Sequence, residues 1–306
     1  MTTALHALLA CACAASLVAA FVPIHQHSLE PPLLANYDDS GLPFWTFGGT
    51  TVITNDFVRL TPKTTPGRGY LWNRHPAELK SFSVNFTVRA TGQGHFHLFG
   101  KSSCTTCGAA WWHVEDASRH GAFNFFGMPP SFKGFGVVVP TTGNLHLVQG
   151  DGSTAYSIEQ VSVGQCAFVL DETPRVITVT YDGNTDLVNV RYAPAANPTY
   201  QVPCITRANL RGVRSRFYFG FTAYAQEPEA IGVDVLSMST TASLGNADES
   251  NNANVNPLFD VNEEKKDRLL WDGKPDKPQR DDAKAIRPAE QSTPLDRAES
   301  GGDLEP

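Results

Sequence analysis

Ser81-Phe82-Ser83-Val84-Asn85-Phe86-Thr87-Val88-Arg89 alternates without a break. Successive side chains of an extended chain point to opposite faces. Phe82, Val84, Phe86 and Val88 therefore share one face, and Ser83, Asn85, Thr87 and Arg89 share the other. Such a strand needs a core against its apolar face. Working outward, residues 176–181 and 187–192 read as two more strands, joined through the hairpin signal Asp182-Gly183-Asn184. Residues 135–139, 217–222 and 233–239 add β-branched and aromatic runs. No apolar stripe of helical period interrupts them, and Gly, Pro and Asn punctuate them throughout. Many short strands in this pattern predict an all-β sandwich or jelly roll.

The chain has 306 residues, enough for one large β domain with appendages. Its 31 acidic and 24 basic residues are unevenly placed. From Asp248 onward 15 acidic residues face 9 basic ones, which leaves the rest nearly neutral. No basic face stands out, so nucleic acid and anionic membrane surfaces are excluded as partners. Residues 4–24 are almost wholly apolar, with small residues around Ser16-Leu17-Val18-Ala19-Ala20. Residues 1–24 are therefore read as a cleaved signal peptide, with an uncleaved signal anchor as the alternative of similar length. Either sends the chain into the secretory lumen. Cys11 and Cys13 leave with the leader, and Cys104, Cys107, Cys166 and Cys204 remain for disulfides in three alternative pairings. Residues 244–306 are polar, acidic and rich in Asn, Pro and Ser, the composition of a mostly disordered tail. No second apolar segment follows, so no C-terminal membrane anchor is expected in it. The ending Asp303-Leu304-Glu305-Pro306 is not a K-D-E-L-type retrieval signal.

Several residues offer competing chemistry. Cys104-Thr105-Thr106-Cys107 is either a redox-active pair or a local brace for a loop. His95, His97 and His113 together with it form a zinc-type N/S donor set. Trp111, Trp112, Phe125 and Phe126 suit a sandwich core, with the outward member of each pair left to line a sugar-stacking groove. Glu115-Asp116 is an acidic pair, but adjacent strand residues point to opposite faces, whereas glycoside hydrolysis needs two carboxylates across one cleft. No G-x-S-x-G and no Gly-rich phosphate loop is present, so catalysis is not expected. Asn85-Phe86-Thr87 is the single N-x-S/T sequon with a permitted middle residue.

The segments His27-Ser28-Leu29, Leu42-Pro43-Phe44-Trp45, Val58-Arg59-Leu60-Thr61-Pro62 and Gly69-Tyr70-Leu71-Trp72 resemble the opening of the L-type, legume-like lectins of the early secretory pathway. Later landmarks keep the order: residues 82–92, Gly108-Ala109-Ala110-Trp111-Trp112, Lys133-Gly134-Phe135-Gly136-Val137, Tyr218-Phe219-Gly220 and Asp234-Val235-Leu236-Ser237. The resemblance covers residues 27–243. It implies a concanavalin/legume-lectin-like β-sandwich, a disulfide between Cys166 and Cys204, and a calcium-dependent mannose site. Closing a loop of about 40 residues with that disulfide stabilises a fold by about 3–4 kcal/mol in the chain-entropy model.

Calcium needs several hard oxygen ligands with negative charge among them. The family's positions fall here on Cys107, where an aspartate belongs, and on the run Pro140, Thr142 and Asn144. They fall also at Tyr156 and, beyond it, near Ile158 and Val161, where a histidine and an aspartate belong, and on Gln226 and Glu227 in the loop that touches sugar. Only Asn144 is retained from the aspartate, aromatic and asparagine run, so at most a residual metal contact at Asn144 is expected. No cofactor is then expected, although calcium serves the family. The resemblance implies a cargo receptor or adaptor binding glycoprotein or protein cargo between endoplasmic reticulum and Golgi, held there by an anchored partner, or a secreted protein. The alternatives are a thiol oxidoreductase or glycoside hydrolase on this fold, or a structural surface protein.

Overall fold

The computed structural model describes residues 21–243 except 38–40, 64–65, 93–103, 105, 118–124, 142, 156, 214–215 and 227–230. The expectations for Cys11, Cys13, His95, His97, Thr142, Tyr156, Glu227 and the 244–306 tail lie outside the described residues. The chain divides into two compact units, Met1–Pro257 and Leu258–Pro306, and every described residue belongs to the first.

Two antiparallel sheets stack face to face. In spatial order the first runs β14 (Val202–Asn209), β13 (Leu187–Pro194), β12 (Arg175–Asp182), β7 (Ser81–Thr91), β16 (Gly232–Ser243), β4 (Val58–Thr61) and β3 (Val52–Ile53). A short β1 (Phe21–Pro23) pairs with the end of β16, setting Phe21 opposite Ser243. The second sheet runs β11 (Ser162–Cys166), β10 (Leu145–Asp151), β9 (Lys133–Pro140), β8 (Gly108–Val114), β15 (Arg216–Ala225), β5 (Gly67–Asn73) and β2 (Trp45–Gly49). A two-residue β6 (Ala77–Glu78) also pairs with β15.

Strand β7 sits at the centre of the first sheet and buries alternate residues along its whole length, as its sequence demands. Phe82, Val84, Phe86 and Val88 share the inter-sheet core with Trp111, Phe135, Val137, Phe219 and Phe221. Phe86 stacks on Trp111 at 5.9 Å, and Phe82 meets Phe219 edge-on at 5.1 Å. Each buried side chain of this size stabilises the fold by about 1.5–3 kcal/mol. The disulfide Cys166–Cys204 joins edge strands β11 and β14, one from each sheet, and so staples the two layers along one side.

The second sheet also buries its outer face. Trp72, Ala110, Trp112, Val114, Val138 and Val148 lie beneath Phe125, Phe126, Met128, Phe132 and the short helix α1 (Ile158–Val161). Two glycines let the tryptophans lie flat: Trp72 is paired with Gly220 and Trp112 with Gly136, and a Cβ on either glycine would collide with the facing indole. Trp112 Nε1–H donates to Thr222 Oγ1 at 2.7 Å, and Thr222 Oγ1–H donates to the Phe126 carbonyl. The outward aromatics thus form a second core, not a sugar-stacking groove: Trp112 and Phe126 are fully buried and Phe125 nearly so. Alternation leaves one tryptophan of the pair facing outward, and that one, Trp112, is covered because residues 125–132 fold back over it.

The outer face of the first sheet stays polar. Around β7 it carries Ser83, Asn85, Thr87, Thr178, Thr180, Ser237, Ser239 and Thr241, all half-buried. At one end of that face the buried Asp234 accepts from Arg59 at 2.7 and 2.9 Å and from Arg89 at 3.0 Å, and both guanidiniums lie over Phe57.

Candidate functional site

One end of the second sheet gathers the residues that sequence singled out. β5 and β8 begin there, β9 and β15 finish there, and β10 sets out again after a four-residue hairpin loop. Arg68, Tyr224, Gly108 and Pro140 stand in one cross-strand row. Pairing registers put this row on the outer face, one step beyond Tyr70, Thr222, Ala110 and Val138, where the aromatic cover stops. Cys107 precedes the row on β8, Thr141 follows it on β9, and Gln226 follows it on β15.

The disulfide Cys104–Cys107 is buried against Tyr224. Its loop also ties the end of the sheet together. The Cys107 carbonyl accepts from Thr141 N–H at 3.1 Å, and the Thr106 carbonyl accepts from Phe126 N–H at 3.0 Å. The brace therefore holds both the β9 hairpin and the aromatic cover. Bonded and buried sulfurs supply neither a thiolate for zinc nor an accessible redox pair. His113 lies away from it in the inter-sheet core, within 5.3 Å of the rings of Phe135, Phe217 and Phe219.

Pro140 closes strand β9 and brings no side-chain oxygen. Asn144 is exposed on the hairpin with φ 55°, next to Gly143 at φ 94°. Left-handed backbone is tolerated by asparagine better than by most residues, which accounts for the residue type without a ligand. Gln226 Oε1 accepts from Tyr224 O–H at 2.9 Å, and the Arg68 guanidinium carbon lies 4.8 Å from the centre of the Tyr224 ring. Thr141 Oγ1 is buried and has no hydrogen-bond partner among the described residues.

Among the described residues this donor set does not fit calcium. A thiol-derived disulfide occupies the first position, a proline the second, and the amide oxygen of Gln226 is already engaged. One neutral hydroxyl and one exposed amide are too few and carry no negative charge. Arg68 adds a positive charge to the same row. Among the described residues no three His, Cys, Asp or Glu side chains come together in a way that could hold a metal. Glu115 lies at the other end of β8, seven residues from Gly108 and so about 23 Å away along the strand. There it pairs with Lys133 at 2.9 Å. Arg68, Tyr224 and Thr141 were not singled out in the sequence. The alternation of Arg68, Tyr70 and Trp72 along β5 is the signal that places Arg68 on this face.

The profile of the legume-like lectin family matches residues 23–250. The chain belongs to the legume-like lectin family. Identity to its relatives is low, which makes it a divergent member. It is 31% identical over 119 residues to the vesicular integral-membrane protein VIP36 of Canis lupus familiaris, 39% of this chain and 31% of that protein. It is 26% identical over 120 residues to human ERGIC-53, 39% of this chain and 21% of that protein. The match thus spans about a third or less of these curated relatives. The crystal structure of the VIP36 exoplasmic/lumenal domain in its Ca2+/Man2-bound form superposes with a TM-score of 0.63 at 21% identity, over 76% of this chain and 94% of that one. The carbohydrate recognition domain of Emp47p gives 0.59 at 21%, over 73% and 98%. These likenesses establish the fold, an all-β legume-lectin-like sandwich. Among the described residues of this lectin-like chain, no helix is long and apolar enough to cross a membrane.

Proposed function

We propose that this chain is a lectin-fold cargo receptor or adaptor of the route between endoplasmic reticulum and Golgi, recognising glycoprotein or protein cargo without calcium. One observation carries the reading. The end of the sheet where the family's ligands fall holds Arg68, Tyr224, Gln226 and the Cys104–Cys107 disulfide, and among the described residues no three His, Cys, Asp or Glu side chains gather to hold a metal. VIP36 has been crystallised with Ca2+ and with mannose saccharides. In this chain the fold is retained and the described residues at that end bring a guanidinium and no calcium-ligand set, so the surface there suits protein contacts better than a metal-ordered sugar. The location follows the relatives: the chain works in the lumen, and an anchored partner of the same route carries it into vesicles. The leader read as residues 1–24 is shorter in this reading: it is cleaved close to Ala20, so that residues 21–23 stay to pair as β1 with β16.

The test is a glycan array with the secreted full-length chain, run with calcium and again with chelator. Silence on high-mannose structures in both conditions, from a protein shown to be folded, is expected. A calcium-dependent signal on those glycans overturns the reading. Photo-crosslinking from a probe at Gln226 in secretory-pathway vesicles then identifies the cargo; calcium-independent capture of discrete proteins, lost in Tyr224→Ala, is the expected result.

A further inference from the structure

The central strand of the first sheet carries a sequon, Asn85-Phe86-Thr87, that the functional reading above does not use. Asn85 and Thr87, the two reacting positions of the sequon, both face outward from β7. Asn85 is half-buried, and its Oδ1 accepts from Thr178 O–H at 2.7 Å. That contact fixes the amide plane and leaves Nδ2 with no hydrogen-bond partner among the described residues. The neighbours around it are short: Thr178 on β12, Ser239 on β16, and Ser83 and Thr87 along the strand. Ser237, Thr180 and Thr241 border them. Both residues in direct register with Asn85 thus carry hydroxyls.

We propose that Asn85 Nδ2 carries an N-linked glycan that lies over the hydroxyl-rich outer face of the first sheet. The donor is an oligosaccharide linked to a lipid pyrophosphate. The Nδ2–C1 bond forms as the sugar C1–O bond breaks, the lipid pyrophosphate leaves, and the amide gives up one proton to base. Transfer needs a pliable acceptor, so it precedes the pairing of β7 with β12 and β16. The folded chain then tolerates the product because the amide points away from the core. A glycan at the centre of this face also bars a second copy from packing sheet against sheet there. The proposal rests on the chain entering the secretory lumen, as the functional reading holds.

The experiment expresses the full chain in a eukaryotic secretory host and digests it with a peptide N-glycosidase. Wild type is expected to show a single mobility step, with Asn85 converted to Asp in mass spectrometry. The step is lost in Asn85→Gln and in Thr87→Val, and kept in Thr87→Ser. Pro198→Ala serves as the control, because it turns the exposed Asn197-Pro198-Thr199 turn into a permitted sequon. A step in Pro198→Ala that is absent from wild type overturns the proposal at Asn85 while leaving lumenal entry intact. No step in either protein overturns the proposal and the lumenal reading together.

Discussion

His27 is fully buried in the first turn of the described chain, edge-on to Phe219 at 5.5 Å. Burial lowers its pKa from 6.5 to about 4; a contact from Asn73 works partly against this, and His75 adds to it. The unfolded chain therefore takes up a proton before the folded one does. Stability is full above pH 6.5 and falls as the pH drops toward 4. The loss attributable to His27 is about 2 kcal/mol by pH 5. Urea midpoints of wild type and His27→Leu should converge between pH 7.5 and pH 5, with the variant showing the shallower decline. Parallel declines would mean that another group governs the acid limb. Near the site, the double substitution Cys104→Ser/Cys107→Ser removes a short cross-link and should cost about 2 kcal/mol. It should also loosen the segment held by the Thr106 carbonyl, so acrylamide should quench Trp112 more readily while the inter-sheet core stays shielded.

At the scale of elements, the flat seating of Trp72 on Gly220 and of Trp112 on Gly136 decides how the outer face of the second sheet packs. Gly220→Ala should destabilise the protein by about 1–3 kcal/mol through overpacking. Adding Trp72→Leu to it should recover part of the loss, and additivity of the two in urea titrations would remove the contact from the account. β7 was legible from sequence because one face is dry and the other wet, so its period shows. The hairpin of β12 and β13 was legible for the same reason, aided by its turn residues. β8 and β9 were harder to read in full, since the second sheet is covered on both sides. β8 is buried at every position and β9 at all but its first, so neither carries an alternation that says which face meets which layer. Cys107, Pro140, Asn144 and Gln226, named from the order of the resemblance, come out at one end of the second sheet. The chemistry there was not legible: alternation along β5 gives Arg68 its face, but its alignment with Tyr224, Gly108 and Pro140 is set by cross-strand register, which no local pattern encodes.

For the whole molecule, the disulfide Cys166–Cys204 and a bound calcium would act on stability in ways that can be separated. The disulfide closes a loop across 38 positions and links the edges of both sheets. Its removal in Cys166→Ala/Cys204→Ala should cost about 3–4 kcal/mol in the chain-entropy model. Calcium works by mass action on the folded state alone. A site with a Kd near 0.1 mM, exposed to 10 mM calcium, would add about 2.7 kcal/mol and raise the melting temperature of a domain this size by about 5–10 °C. The described residues at the end of the second sheet bring a disulfide, a proline, an engaged amide, one hydroxyl and an exposed asparagine, with Arg68 in the same cross-strand row, so no such rise is expected from this chain. Magnesium at the same concentration controls for ionic strength, and the double cysteine variant provides a destabilised background in which a small gain would be easier to see. A calcium-specific rise of several degrees in either protein would mean that oxygen ligands come from outside the described residues, and the calcium-free reading of cargo recognition would fall with it. Equal melting curves in calcium, magnesium and chelator would leave recognition to the residues of the row itself, with Arg68 and Tyr224 as the first positions to substitute.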